Sequence, residues 1–331
     1  MSEPVALVTG AGGEMGHLLI PALRERGIRV IALDLVPLGD AISEHCVETI
    51  EASILDTDVL ADLFHRHPPT YVFHLAAVLS RKAEIDPELA HRVNVGGTYN
   101  LFKLCEQPYA ERPIRLLFPS SIAVYGLPDR DLKKTVGAIK ETEWTVPHGV
   151  YGCTKLYCEL LGAHFQRSNG TPDFRSIRFP GLISGDTLPT GGTTDYAPEM
   201  IHAAAQHRPY KSFVLRDTRL PFMTMPDAID ALMRLALAEP DRLTTRAYNI
   251  RGFSSTAAEI RSEVLKHYPE AEIGFEPDPV RQLLVDSWPG DVDHSLARRD
   301  WGFNPRHGLS QAMADYLVPA MKKRYAAAAS R

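Results

Sequence analysis

A chain of 331 residues, 44% apolar and 23% charged, is an ordinary globular protein with room for a nucleotide-binding domain and a smaller lobe. Its formal charge of −5, with no basic run longer than Lys322-Lys323-Arg324, leaves no global attraction to nucleic acid or an anionic membrane, so neither partner is expected. No apolar stretch approaches the ~20 residues that span a bilayer, the first residues lack the basic and apolar regions of a secretory signal, and four cysteines without Cys-x-x-Cys spacing suit reduced thiols in a cytoplasmic protein.

Val5-Ala-Leu-Val8 is a short apolar run closed by glycines. Leu18, Leu19, Ala22 and Leu23 follow at helical spacing, which predicts strand, tight turn and helix. Pro21 falls inside that helix and removes the bond to the carbonyl of His17, so a local kink is expected. Arg29-Val-Ile-Ala-Leu33 is a second strand. A helix at 59–67, a strand at 71–75, a long helix at 90–106 and a strand at 115–118 continue the alternation. Strand and helix in alternation predict an α/β fold, a doubly wound parallel sheet of the Rossmann type.

The tract 127–144 is rich in charge and has no clear period, which predicts an exposed excursion before the next helix. From about Gly181 the texture changes: Gly, Pro and Thr cluster over 187–196, and later helical segments are separated by Pro-rich links. The expected organisation is a nucleotide-binding domain over 1–180, to which later segments return, and a smaller mixed α/β substrate lobe mainly within 181–331. The Ala-rich tail at 326–329 is expected to fray.

Gly10, Gly13 and Gly16 stand between the first strand and its helix. They let the backbone turn tightly and let a pyrophosphate approach the helix N-terminus, where free N–H groups and the dipole favour anions. Asp34 ends the second strand, 18 positions after Gly16. A carboxylate there can accept hydrogen bonds from both adenosine ribose hydroxyls and repels a 2′-phosphate, which favours NAD over NADP.

Tyr151 and Lys155 are four positions apart, hence on one face of a helix. The Lys155 ammonium is therefore expected to favour the phenolate of a Tyr151 side chain that ordinarily titrates near ~10. In alcohol oxidation Tyr151 would take the hydroxyl proton, Lys155 would stabilise the anion and bind the nicotinamide ribose, and Ser121 would hydrogen-bond the substrate oxygen.

The chain carries further strings in the same order: His74-Leu-Ala-Ala77, Asn94-Val-Gly-Gly-Thr98, Ser120-Ser-Ile-Ala-Val-Tyr-Gly126 and Val150-Tyr-Gly-Cys-Thr-Lys155. With the glycine turn, these resemble the extended short-chain dehydrogenase/reductase superfamily. Counted back from Val124-Tyr125-Gly126, the resemblance puts the catalytic hydroxyl on Ser121 rather than Ser120. It implies NAD contacts from Gly10, Gly13, Glu14, Met15, Asp34, Ser53, Ile54, Leu75, Ala76, Ala77, Asn94, Tyr151, Lys155, Phe179 and Leu182. Two departures stand out: Ser53 occupies the position where many members carry an adenine-binding Asp, and a charged insertion precedes Tyr151.

Within the superfamily the chain is similar over nearly its whole length to the short-chain NAD-dependent L-threonine 3-dehydrogenases. The specific strings are Arg178-Phe-Pro-Gly-Leu-Ile-Ser184, Gly191-Gly-Thr-Thr-Asp-Tyr-Ala197, Asp217-Thr-Arg-Leu-Pro221 and Val285-Asp-Ser-Trp-Pro289. That resemblance implies oxidation of L-threonine to 2-amino-3-ketobutyrate, with Ser80, Ser121, Thr193 and Thr194 on the substrate. It also implies a homodimer through the helices at 90–106 and 150–165; periodicity alone would equally let both pack on the sheet.

Three alternatives remain. A nucleotide-sugar epimerase or dehydratase shares the N-terminal motifs, although Pro180-Gly-Leu-Ile-Ser-Gly-Asp186 lacks the Asn such enzymes use to hold pyrophosphate. A sugar-acid dehydrogenase acting on a D-erythronate-like substrate also suits 74–80 and Phe275-Glu-Pro-Asp278. A protein that only senses NAD would have no need of Ser121, Tyr151 and Lys155 together. No metal site is expected: His65 and His67 flank a helix end without further ligands at metal spacing. Cys153 and Cys158 read as small buried thiols, and Trp288 as core packing or cleft lining.

Overall fold

In a computed structural model of the chain, described over residues 3–109, 112–189 and 191–329, seven parallel strands form the central sheet. They are β1 (Val5–Thr9), β2 (Arg29–Asp34), β3 (Glu48–Glu51), β4 (Tyr71–His74), β5 (Arg115–Ser121), β6 (Asp173–Phe179) and β7 (Ala247–Asn249), ordered β7-β6-β5-β4-β1-β2-β3. The order reverses between β1 and β4, where Thr9 pairs with both Leu33 and His74. Crossovers on either side of that point diverge, leaving a crevice at the carboxyl ends of the strands.

Both faces of the sheet are covered, which is why its strands read as continuous apolar runs. Ala6, Val8, Phe73, Leu117 and Ile177 pack against Leu19, Ile20 and Leu23 of the first helix (Glu14–Glu25) and against Ala228 and Leu232 of the helix Met225–Leu237. Their neighbours along the strands, Leu7, Val72, Leu116, Phe118 and Phe174, face Leu60, Phe64, Leu101, Phe102 and Phe165 on the other side. The first helix runs from Glu14 to Glu25 without interruption at Pro21. β3 has no counterpart among the sequence expectations, because its Glu-Thr-Ile-Glu pattern is that of a half-covered edge.

The expected long helix at 90–106 is helical throughout but not uniform: a π-helical stretch, His91–Gly97, joins the turns Pro87–Ala90 and Thr98–Cys105. Such widened turns commonly mark functional positions in helices, and this one presents Asn94 to the chain leaving β4.

After β6 the chain builds a three-stranded sheet from Gly181–Ile183, Arg219–Thr224 and Phe253–Thr256. Two short parallel pairs join Tyr210–Ser212 to Ile273–Phe275 and Ala138–Ile139 to Asp291–Val292. A separate apolar cluster, including Tyr196, Met200, Phe222, Phe253 and Ile260, supports these elements and extends to Ile122–Val124 after β5. The chain returns to the large sheet at β7.

The tract 127–144 departs from expectation. It carries several exposed side chains, but Leu127, Lys133, Ile139 and Glu141 are buried, because the tract is fastened along the segment 285–293. Cys153 is exposed, whereas Cys158 is buried and donates to the Asn94 carbonyl. Among the described residues, no helix is long and apolar enough to cross a membrane and no group of three His, Cys, Asp or Glu could hold a metal ion.

Candidate active site

The strand ends enclose a cleft of about 720 Å³. At one end lie Asp34, Leu35, Ser53 and Ile54; at the other lie Ser121, Tyr151, Lys155, Phe179, Leu182, Thr193, Thr194 and Trp288. Gly10, Gly13, Glu14 and Met15 line it between β1 and the first helix, and Leu75, Ala76, Ala77 and Ser80 line it where the chain leaves β4.

The glycine turn is shaped as a cradle. Gly10 has φ +68°, and a Cβ there would stand 2.6 Å from the Ala76 nitrogen, so a side chain would push the turn off the β4 exit. At Gly16 a Cβ would stand 2.0 Å from the Ala11 carbonyl, which requires glycine for close contact of helix and strand. No side chain caps the helix at Gly13. Its first N–H groups are thus directed at the cleft, an arrangement that suits a pyrophosphate. Asp34 Oδ2 accepts from Gly12 N at 2.8 Å and Oδ1 from Leu35 N at 2.7 Å. The carboxylate therefore holds the turn in place while bordering the cleft, where its remaining lone pairs can meet ribose hydroxyls.

Glu14 sits at the start of the helix and accepts from Thr187 Oγ1 at 2.5 Å, a contact between the cradle and the loop after Ile183; burial raises its carboxyl above the ordinary range. Ser53 Oγ accepts from Leu55 N at 3.1 Å and shapes the turn after β3. Asn94 does not line the cleft. Its side-chain oxygen accepts from Val78 N at 2.7 Å, and its amide nitrogen donates to Val78 O at 3.0 Å and to Thr154 Oγ1 at 3.1 Å. It ties the wall after β4 to the helix Val150–Asn169, with its hydrogen-bonding capacity largely used.

That helix carries Tyr151 and Lys155. Lys155 is 4% exposed and donates to the Pro119 carbonyl at 2.7 Å; its Nζ lies 4.6 Å from the Phe118 ring centroid and 5.6 Å from that of Tyr151. Burial lowers the ammonium to about 8. Burial also raises the Tyr151 phenol above its ordinary value, opposite to the depression expected from Lys155 alone. Desolvation disfavours the phenolate, and the ammonium of Lys155 beside the ring acts against that cost. Ser121 Oγ accepts from Ala123 N at 3.1 Å, which orients the hydroxyl at the end of β5. Ser80 and Thr193 meet at 3.0 Å between their hydroxyl oxygens.

Two features escaped sequence reasoning. His74 Nδ1 lies 2.8 Å from Thr9 Oγ1 and Nε2 lies 2.9 Å from Thr98 Oγ1. Because Thr98 donates its own proton to the Asn94 carbonyl, it accepts from Nε2–H, leaving Nδ1 to accept from Thr9. The His74 of the His-Leu-Ala-Ala string was its only signal. The second is Ser120, which borders the cleft and whose buried Oγ has no hydrogen-bond partner among the described residues. A polar atom so placed is consistent with a site completed by a ligand. The cradle and the uncapped helix fit a dinucleotide.

The model of the NAD-dependent epimerase/dehydratase family matches residues 6–250, covering the cradle, Ser121, Tyr151 and Lys155. The chain belongs to this family. It is an NAD-dependent enzyme of the extended short-chain type. Among curated relatives of this family member, the mitochondrial L-threonine 3-dehydrogenase of Bos taurus is 35% identical over 316 residues, covering 94% of this chain and 81% of the relative. Among solved structures, the holo form of the GalE-like L-threonine dehydrogenase from Cupriavidus necator is 38% identical with a TM-score of 0.86, covering 96% of this epimerase/dehydratase-family chain and 99% of that one. A monomeric L-threonine 3-dehydrogenase from a metagenome, in its apo form, is 35% identical with the same TM-score of 0.86 and coverages of 96% and 99%. A monomeric neighbour this similar leaves the expected homodimer without support.

Proposed function

We propose that this enzyme oxidises the secondary hydroxyl of L-threonine to 2-amino-3-ketobutyrate with NAD. The observation that carries the reading is the convergence of the Ser80–Thr193 hydroxyl pair with Ser121, Tyr151 and Lys155 in one cleft beside the glycine cradle. The similarity to L-threonine 3-dehydrogenases over nearly the whole chain supports it.

Bound NAD supplies the acceptor for the hydride that leaves the carbinol carbon. The glycine turn and helix N-terminus hold its pyrophosphate, Asp34 takes the adenosine ribose, and Lys155 takes the nicotinamide ribose while placing positive charge beside Tyr151. Ser121 donates to the alcohol oxygen and fixes its position. Tyr151 withdraws the hydroxyl proton as the carbonyl forms, and Ser80, Thr193 and Thr194 bind the polar groups on the far side of the substrate. Trp288 and the apolar cluster behind it exclude water from this end.

The test is the appearance of NADH absorbance with purified protein, NAD and a panel of L-threonine, its stereoisomers, L-serine, D-erythronate and related hydroxy acids. A strong signal confined to L-threonine is expected. A signal only with sugar acids would replace the substrate and keep the chemistry, and silence across the panel would overturn the dehydrogenase reading.

A further inference from the structure

The tract 127–144 contributes no residue to the cradle or to the Ser121, Tyr151 and Lys155 group, yet it is firmly fastened. Lys133 is 8% exposed and its Nζ donates to the Val285 carbonyl at 2.8 Å. Leu127 N donates to the Ser287 carbonyl at 2.7 Å, and Ala138–Ile139 pairs with Asp291–Val292. The three fastenings fall on both sides of Trp288.

Trp288 is 4% exposed and lines the cleft. It belongs to the apolar cluster that includes Ile122, Ala123, Val124 and Tyr125 and against which Tyr151 packs. The turn that carries it is closed by its own bonds, Ser287 N to Leu284 O at 3.2 Å and Trp288 N to Val285 O at 3.1 Å. A buried amine is an expensive fastener, and burial lowers Lys133 to about 7. An apolar side chain would fill the space without that cost, but it would not fix the direction of the Val285 carbonyl. The directional bond ties the tract to the carbonyl that also accepts from Trp288 N.

We propose that the tract 127–144 is a specificity element: with Lys133 as positioning residue, it holds Trp288 as the end wall of the substrate half of the cleft and limits the bulk beside the oxidised carbon. The inference rests on the reading of this cleft as an alcohol-oxidising site. Neither Lys133 nor the tract touches the reacting atoms. Their effect passes through Trp288 and should appear in the choice among substrates, while cofactor binding at the opposite end stays the same.

The experiment compares kcat/KM for 2-amino-3-hydroxy acids bearing methyl, ethyl or phenyl on the hydroxyl carbon, together with sugar acids of increasing length. It uses the full chain, Trp288→Ala, Trp288→Phe and Lys133→Met, with the NAD dissociation constant of each measured in parallel. The Trp288→Ala ratio of large to small substrate should rise at least tenfold, Trp288→Phe less, and Lys133→Met several-fold in the same direction, all with unchanged NAD affinity. Trp288→Phe serves if the alanine variant does not fold, and Lys133→Leu, which also removes the donor, serves for Lys133→Met. Folded Trp288 variants with the unaltered size preference overturn the wall. A shift on changing Trp288 with none on changing Lys133 overturns the role of the tract. If the unaltered enzyme turns over only sugar acids, the threonine reading falls and the length series still decides the wall; silence across the panel overturns both.

Discussion

The side-chain hydroxyls of Ser80 and Thr193 lie 3.0 Å apart, although 113 positions separate them in the chain. Ser80 opens the short helix after the β4 exit, and Thr193 sits in the loop that precedes the helix Tyr196–Ala205, so the bond closes the cleft from two sides. Removing one hydroxyl leaves the other buried without this partner, at a cost of about 1–3 kcal/mol. Ser80→Ala and Thr193→Val should each raise KM for the alcohol by roughly tenfold, with NAD affinity unchanged. The double variant should lose less than the sum of the two, because both remove one shared contact. Strictly additive losses would show that the hydroxyls act separately.

Tyr151→Phe keeps the ring in its place beside Lys155 and removes the proton acceptor. A positioned general base contributes a factor of about 10²–10⁴, so turnover should fall by that order while NAD still binds with its original affinity. Steady-state kinetics with a parallel binding titration separates the two, and retained turnover would exclude Tyr151 as the base.

The pH dependence follows from two opposed effects of burial on the pair. The Tyr151 phenol is raised, so its base form grows only as pH climbs through the alkaline range. Lys155 is lowered to about 8, so the charge that stabilises the phenolate is present below that value and fades above it. Oxidation measured as kcat/KM should therefore rise from neutral into mildly alkaline pH. Lys155→Met should carry the rise further into the alkaline range as well as lower its height. A flat profile across pH 6 to 9, in the region where about one unit separates each tenfold change in ionisation, would contradict the assignment.

Asp34 accepts from Gly12 and Leu35 as well as bordering the cleft. Asp34→Ala should thus weaken NAD at least tenfold and also erode discrimination against NADP, since the repulsion of a 2′-phosphate is lost together with the ribose contact. Dissociation constants for both dinucleotides check this. Loss of affinity with an unchanged ratio would leave Asp34 a role in the turn alone.

His74 is buried and its imidazole is lowered to about 3. Desolvation is the main cause and Lys155 the second. The unfolded chain, with an ordinary imidazole near ~6.5, binds the proton first as pH falls. Stability from this residue is complete above that value and declines below it, by up to about 1.4 kcal/mol per pH unit until the folded value is reached. Urea midpoints measured between neutral pH and pH 4 should fall accordingly, and His74→Gln should flatten the slope. An equal slope in that variant would assign the acid sensitivity elsewhere.

Local sequence determined the parts whose physics is local. The glycine spacing between an apolar run and a helical period specifies a cradle because the turn leaves no room for side chains, and Tyr151 and Lys155 share a helix face by their spacing alone. The doubly wound sheet was legible because alternating strand and helix periods admit few other arrangements. β3 was missed because an edge strand has only one well-covered side to mark it, and the tract 127–144 misled because its charge is partly turned inward. Tertiary structure alone decided the rest. It turned the Asn94 side chain onto Val78 and Thr154, brought Ser80 to Thr193, and set Lys133 on the Val285 carbonyl. It also buried the Tyr151 phenol, which raises it above its ordinary value. Each of these depends on which distant groups desolvate or hydrogen-bond a residue, a property of the packed neighbourhood that spacing along the chain does not carry.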